Sequence, residues 1–315
     1  MTVQRLLKLT GCQGSRWPLW IDSWTPRVWV PDVVASRGLS SALDKTLALF
    51  QARLVLPLAR TQLDPNAFDE WFAHACSVQQ AIYEIDHYYE RSALIENDTE
   101  AALWKDVDRH VASGAAVPGA LVFSALHDLR CYAEAELRLH VLDPIDPREF
   151  DTILRLKCSD VRMARGLIWS YGRHVPGVSE CRFWSLYDQC WELIEDLEDL
   201  DEDGRDWNFN FWLYLFMSGR SAPIGVDSAA RLLRRKLAEL EDAGNRVPTG
   251  IRSLCQAALT RTLSAGEAAE RLRGLALKAI TNGHVVPFAQ QLPHARPRSV
   301  PTQGVSILDW TQSDG

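Results

Sequence analysis

A single all-α bundle of about ten helices around a central cavity is what the sequence predicts, on three observations. Apolar residues recur at three- and four-residue spacing along most of the 315 residues. Strand-type alternation is nowhere sustained, and helix punctuation falls at the breaks between periodic stretches. The periodicity predicts helices over roughly 38–60, 66–92, 98–112, 119–141, 147–172, 180–200, 208–218, 227–243 and 264–281. Asp64-Pro65 and Asp146-Pro147 each place a proline in a first helical turn, and Gly172, Gly204 and Gly219 stand where helices should stop. With 47% apolar residues the chain can bury a sizeable core, and one helical domain over 37–284 is expected even though the length would accommodate two. Residues 1–36 carry Trp17, Trp20, Trp24 and Trp29 among prolines and read as an arm packed on the bundle; residues 285–315 carry four prolines and read as a tail or flap.

Composition removes several function classes. A net charge of −7 with scattered Lys and Arg offers no basic patch, so no nucleic-acid partner is expected. The opening "MTVQRLLKLTGCQG" is too short and polar for a signal peptide. The longest apolar stretch, "LALFQARLVLPLA", is cut by Arg53 and falls short of a membrane span. The expectation is a cytoplasmic protein that does not cross a membrane. Seven cysteines without a CxxC pair fit reduced, mostly buried thiols. His74, His127 and His140 are isolated on helices and read as satisfied polar residues. There is no Ser-His-Asp ordering, phosphate-cradling glycine loop or HExxH.

Residues 190–212, "CWELIEDLEDLDEDGRDWNFNFW", pose the functional question. Asp199, Asp201, Asp203 and Gly204 fall at positions 1, 3, 5 and 6 of a calcium loop, but Trp207 offers no ligand at position 9 and Asn210 replaces the bidentate Glu at position 12. A solvated face explains more: Asp188, Glu192, Glu195 and Asp199 share one helical stripe, with Leu186, Cys190, Leu193, Leu197 and Leu200 opposite. A third reading comes from "VQQAIYEIDHYYER", residues 78–91, where Asp86 and Glu90 lie at i and i+4, His87 beside them, and Tyr83 and Gln79 one and two turns below. Two helices that present carboxylates this way can face each other and hold a cluster of Mg²⁺, which takes hard oxygen ligands and leaves positions open for phosphates. Such a cluster would bind a diphosphate.

The acidic stretch "ELIEDLEDLDEDGRDW" resembles the second aspartate-rich region of the class I isoprenoid synthase superfamily, with Glu195, Asp196 and Asp199 at its three acidic positions. "DHYYE" sits where the first such region would be, with His87 in place of its second acid. "EFDTILRLKCSDVRMARGLIWSYG" is similar to the polyprenyl-synthase helix that carries a Lys-Thr pair; Lys157 and Cys158 stand at that pair, 39 residues before Asp196. The resemblance implies that Asp86, Glu90, Glu195, Asp196 and Asp199 bind Mg²⁺, with Mn²⁺ as the alternative ion, and that Lys157 contacts the substrate diphosphate. Arg162, Arg165 and Arg205 are further candidates for the diphosphate. Tyr83 and Trp191 are candidate pocket aromatics beside the metal ligands, with core packing as the alternative for each.

The chain departs from chain-elongating members: it lacks a Gly-Gly-Lys-Arg element near the start, and it has Glu192 in place of Gln and Cys158 in place of Thr. What the resemblance implies is therefore a Mg-dependent terpene synthase, a carbon–oxygen lyase that ionises one allylic prenyl diphosphate, releases pyrophosphate and cyclises or eliminates. The "GR" before an aromatic in "DGRDW" is similar to squalene and phytoene synthases, so a chain-forming or head-to-head prenyltransferase is the alternative. A non-catalytic helical interaction protein with an acidic face is the second alternative, and a homodimer is left open. Within the acidic run, Gly204 is expected to end the helix and leave Asp201, Glu202 and Asp203 solvated, and Glu192 is expected to pair with a base or turn outward.

Overall fold

The protein is described here by a computed structural model covering residues 40–91, 96–140, 149–172, 174–199, 203, 210–212, 214 and 222–281. The arm over 1–36 and the tail over 285–315 lie outside the described residues, as do Arg205 and most of the helix expected over 208–218. Among the described residues there are ten α-helices and no strand. They are α1 (Ser40–Ala52), α2 (Val55–Gln62), α3 (Pro65–Arg91), α4 (Asn97–Ala112), α5 (Ala120–His140), α6 (Glu149–Lys157), α7 (Ser159–Tyr171), α8 (Val178–Glu198), α9 (Ala222–Gly244) and α10 (Arg252–Thr281). No helix is long and apolar enough to cross a membrane among the described residues.

Helix α7 sits at the centre. It packs on α2, α3 and α5, touches α6 and α8, and nearly all its residues from Ser159 to Ile168 are buried. Its crossing with α5 is close because residue 166 is glycine: a Cβ there would stand 3.0 Å from Val122 Cγ2 and 3.2 Å from Val122 N. Around this axis α3 carries α1 and α4, while α8 takes α9 and α10 on its far side. At the start of α3, Asp64 Oδ1 accepts the N–H groups of Asn66 and Ala67 at 3.1 and 3.0 Å, and Pro65 opens the helix as its sequence position predicts.

Four boundaries depart from the periodicity. The helix expected over 38–60 breaks at Leu54, whose φ of 55° is left-handed. The carbonyls freed at the end of α1 find side-chain donors: Ala52 O accepts Tyr187 OH at 3.2 Å and Arg261 Nη1 at 2.8 Å, and Arg53 O accepts Arg165 Nη2 at 2.5 Å. The helix expected over 147–172 breaks at buried Cys158 (ψ 12°), giving α6 and α7. Apolar spacing continues across both breaks, so periodicity cannot register them. Helix α8 ends at Glu198, with Asp199 as its C-cap, rather than at Gly204. Helix α10 begins a full twelve residues before its expected start, at Arg252; its buried stripe of Leu254, Cys255, Ala258, Leu259 and Thr262 is only weakly apolar, which hid it.

Candidate functional site

The acidic stripe of α8 turns inward, onto cations. Arg53, 2% exposed, donates through Nη2 to Glu192 Oε2 at 2.6 Å and to Glu195 Oε2 at 2.7 Å, and through Nη1 to the Asp188 carbonyl at 2.9 Å. Lys157 Nζ, at the last residue of α6, lies 2.9 Å from Glu192 Oε1 and 2.7 Å from Asp196 Oδ1. The second oxygen of Asp196 accepts the Phe211 N–H at 2.7 Å, and Asn210 Nδ2 donates to the Asp196 carbonyl at 2.5 Å. Arg165 closes the other end by pairing with Asp188, both fully buried, while its guanidinium lies 4.7 Å from the Trp184 ring centroid. Three cations thus meet four carboxylates in two sets of ion pairs, joined by hydrogen bonds to the Asp188 and Arg53 main-chain carbonyls.

Burial opposes every charge in these two sets, and the partners decide each outcome. For Glu192 the desolvation cost is outweighed by Lys157 and Arg53, and its pKa is lowered. For Asp196 burial wins: the carboxyl is pushed up despite Lys157 and the Phe211 N–H, with Glu192 adding to the rise. Burial also raises Asp188 against Arg165 and Arg53. Arg53 and Lys157 are both held charged, because the carboxylates around them exceed the burial term that would lower them.

The first acidic region reaches these ion pairs through α7. Gln79, buried on α3, donates through Nε2 to Asp160 Oδ2 at 3.2 Å. Tyr83 is half-buried one turn on; burial raises its phenol, and the charges of Asp160 and Asp86 add to that rise. Asp160 is pushed by burial to about 6, with Glu192 contributing to the rise and Arg53 opposing it. Asp86 and His87 are exposed beyond Tyr83. The side chain of Glu90 lies outside the described residues.

Several expected roles change. Glu192 is paired with bases, as its depth on the stripe predicts. Asp196, expected as a metal ligand, has one oxygen on Lys157 and the other on a backbone N–H. Lys157 is engaged with these acids, and Arg162 donates to Asp128 Oδ2 at 2.8 Å and to the Arg155 carbonyl at 3.0 Å. Trp191 belongs to the core between α8 and α10: it is 1% exposed, its indole N–H donates to Thr262 Oγ1 at 3.0 Å, and the Arg261 guanidinium lies 4.2 Å from its ring centroid. Asp203, expected to be solvated, is half-buried and accepts Asn210 Nδ2 at 2.7 Å. Sequence reasoning missed Arg53 and Asp160. The signal for Arg53 was visible as the one charge inside the longest apolar run, where a long cation is stable only if buried acids receive it.

A second polar group stands elsewhere, on α3 and α4. His74 Nε2 bonds the His110 carbonyl at 2.9 Å and its Nδ1 meets Tyr171 OH at 3.1 Å. Ser77 Oγ meets His110 Nδ1, and His110 Nε2 is 3.5 Å from Asp106. Despite the Ser, His and Asp side chains, Ser77 is in mid-helix, where backbone N–H groups are consumed and supply no oxyanion donors; the group locks two helices together.

Among the described residues no three His, Cys, Asp or Glu side chains are grouped to hold a metal ion. Mg²⁺ does not demand such a cage, since it is commonly held by one or two carboxylates plus substrate phosphates. Glu195, 26% exposed at its side chain, Asp199 one turn on at the helix C-cap, and exposed Asp86 are the more accessible hard-oxygen groups; Asp196 is buried, with one oxygen on Lys157 and the other on the Phe211 N–H. No protein-family model matches this chain, and neither a curated protein nor a solved structure is significantly similar to it.

Proposed function

We propose that the chain is a class I terpene synthase, a Mg-dependent lyase that ionises an allylic prenyl diphosphate and resolves the carbocation by cyclisation or elimination. One observation carries the reading: Lys157 and Asp196, which the resemblance assigns to two motifs 39 residues apart, are 2.7 Å from each other among buried charges on an all-α scaffold. Mg²⁺, where bound, would neutralise the charge that develops on the leaving pyrophosphate. Glu195 and Asp199, one turn apart at the end of α8, are the residues that would hold one ion, and Asp86 on α3 would hold another. Lys157 and Arg53, both kept charged, supply positive potential beside the departing group. Glu192 orients these two cations by taking one on each oxygen. Tyr83, half-buried beside the acidic region, offers a π face to a cation.

The test is incubation with Mg²⁺ and single prenyl diphosphates of ten to twenty-five carbons. Hydrocarbon or alcohol products with pyrophosphate release are expected. Turnover only after isopentenyl diphosphate is added would make the protein a prenyltransferase. No pyrophosphate from any mixture would leave a helical interaction protein with an acidic face. A cytoplasmic location and a homodimer accompany the proposal and are checked by fractionation and by light scattering.

A further inference from the structure

Asp160 is unlike the other buried acids. Asp188, Glu192, Glu195 and Asp196 each carry an Arg or Lys partner within ion-pair distance, whereas Asp160 has none among the described residues. Its two oxygens accept neutral donors instead: Oδ1 the Val161 N–H at 2.6 Å, and Oδ2 the Gln79 amide at 3.2 Å. It is half-buried on the first turn of α7, with Gln79, Tyr83 and Asp86 on the α3 side, Glu192 on the α8 side and Arg53 as the nearest opposing charge. A carboxylate clamped by Arg is a weak base, because the cation stabilises its charged form. For one held only by an amide and a backbone N–H, burial raises the proton affinity by more than these two neutral donors lower it.

We propose that Asp160 is the base that ends the reaction, taking a proton from the carbon next to the carbocation so that the product leaves as an alkene. The assignment rests on the terpene synthase reading and deepens it. The C–H bond breaks, its electron pair becomes the new carbon–carbon π bond and cancels the positive charge, and the proton ends on the Asp160 carboxylate. Between turnovers water, which reaches this half-buried side chain, carries that proton away. Asp188, Glu192, Glu195 and Asp196 are less suited to the step, since each is paired with a buried Arg or Lys and taking up a proton would weaken that pair.

Two variants test this, the isosteric Asp160→Asn and the smaller Asp160→Ser, so that failure of one to fold does not end the experiment. Each is incubated with Mg²⁺ and the prenyl diphosphate that the wild type consumes fastest. Pyrophosphate release within about fivefold of wild type is expected, with the hydrocarbon-to-alcohol ratio lowered at least about tenfold as water captures the cation. An unchanged ratio in both folded variants would mean that pyrophosphate or another group is the base, and would overturn the assignment while leaving the reading of the function in place. Loss of pyrophosphate release in folded variants would move Asp160 to the ionisation step and also overturn it. Wild-type protein that forms only alcohols removes the assignment alone; wild-type protein that releases no pyrophosphate removes both.

Discussion

Helix α8 buries two faces by opposite means. One face sets Asp188, Glu192, Glu195 and Asp196 against Arg53, Lys157 and Arg165. The other sets Cys190, Trp191 and Ile194, all at most 1% exposed, into the hydrophobic core where α8 meets its neighbours. Apolar packing stabilises in proportion to the area removed from water. A buried ion pair must first repay the hydration of both charges, and apolar residues of similar volume often serve stability as well or better. A helix that could have been filled with leucine on both sides therefore carries a charged side that stability alone does not call for, and an apolar side that holds it in place.

The largest expected effect comes from halving a pair. Arg165→Met leaves Asp188 buried without its cation and should lower unfolding stability by about 3–5 kcal/mol in urea titrations. The double variant Arg165→Met with Asp188→Leu should regain most of that loss. If it does not, the charged face contributes net stability and the contrast between the faces weakens.

Next come the solvent-reached acids. Asp86→Ala and Glu195→Ala should each cut turnover at least about 100-fold, roughly 2.7 kcal/mol of transition-state stabilisation, with the melting temperature of Asp86→Ala unchanged. Trp191→Phe on the opposite face should do the reverse, costing about 1–2 kcal/mol of stability with turnover within about threefold. Equal effects of Glu195→Ala and Trp191→Phe on turnover would erase the division.

Asp160 adds a pH signature. Its folded value of about 6 exceeds the ordinary 3.8, so between these values the folded protein binds the proton that the unfolded chain has lost. Stability contributed by this group is thus highest at the acidic end of the window and falls as pH rises through about 6. Discounted for the water that reaches it, the change is about 1–2 kcal/mol. Asp160→Asn should flatten that component in melts taken from pH 4 to pH 7.

The smallest effect is at Asp203, where Asp203→Ala removes one acceptor for Asn210 and should cost about 1 kcal/mol or less, with turnover within about twofold.

How much of this was legible in the sequence depends on the kind of contact. Helix identity was, because i, i+3 and i+4 spacing reports which face each helix buries, and the Asp64-Pro65 cap reports where one begins. Lys157 and Asp196 were singled out by their spacing of 39 residues, but as a diphosphate contact and a metal ligand; their ion pair was not foreseen. Arg53 was not placed, since an arginine in an apolar run says only that an acid must meet it; which acid is fixed by a fold that brings residues 53 and 192 together across 139 positions. Asp160 was hidden for a related reason: a lone carboxylate on a helix looks the same whether solvent or a buried amide receives it. Trp191 misled because adjacency in sequence to Glu192 puts it about 100° away around the helix, on the apolar side.

Leu54 has a consequence for engineering. Its left-handed backbone, the turn that lets Arg53 reach α8, costs a non-glycine residue about 1–2 kcal/mol, and the usual remedy is glycine. Yet its side chain is 5% exposed in the core, where a buried leucine contributes about 1.5–3 kcal/mol. Glycine would relax the chain and empty the space; alanine would do neither well, and a β-branched residue would worsen the backbone. No single substitution improves both terms, so a search for thermostable variants should find position 54 fixed as leucine while the helix termini around it accept change.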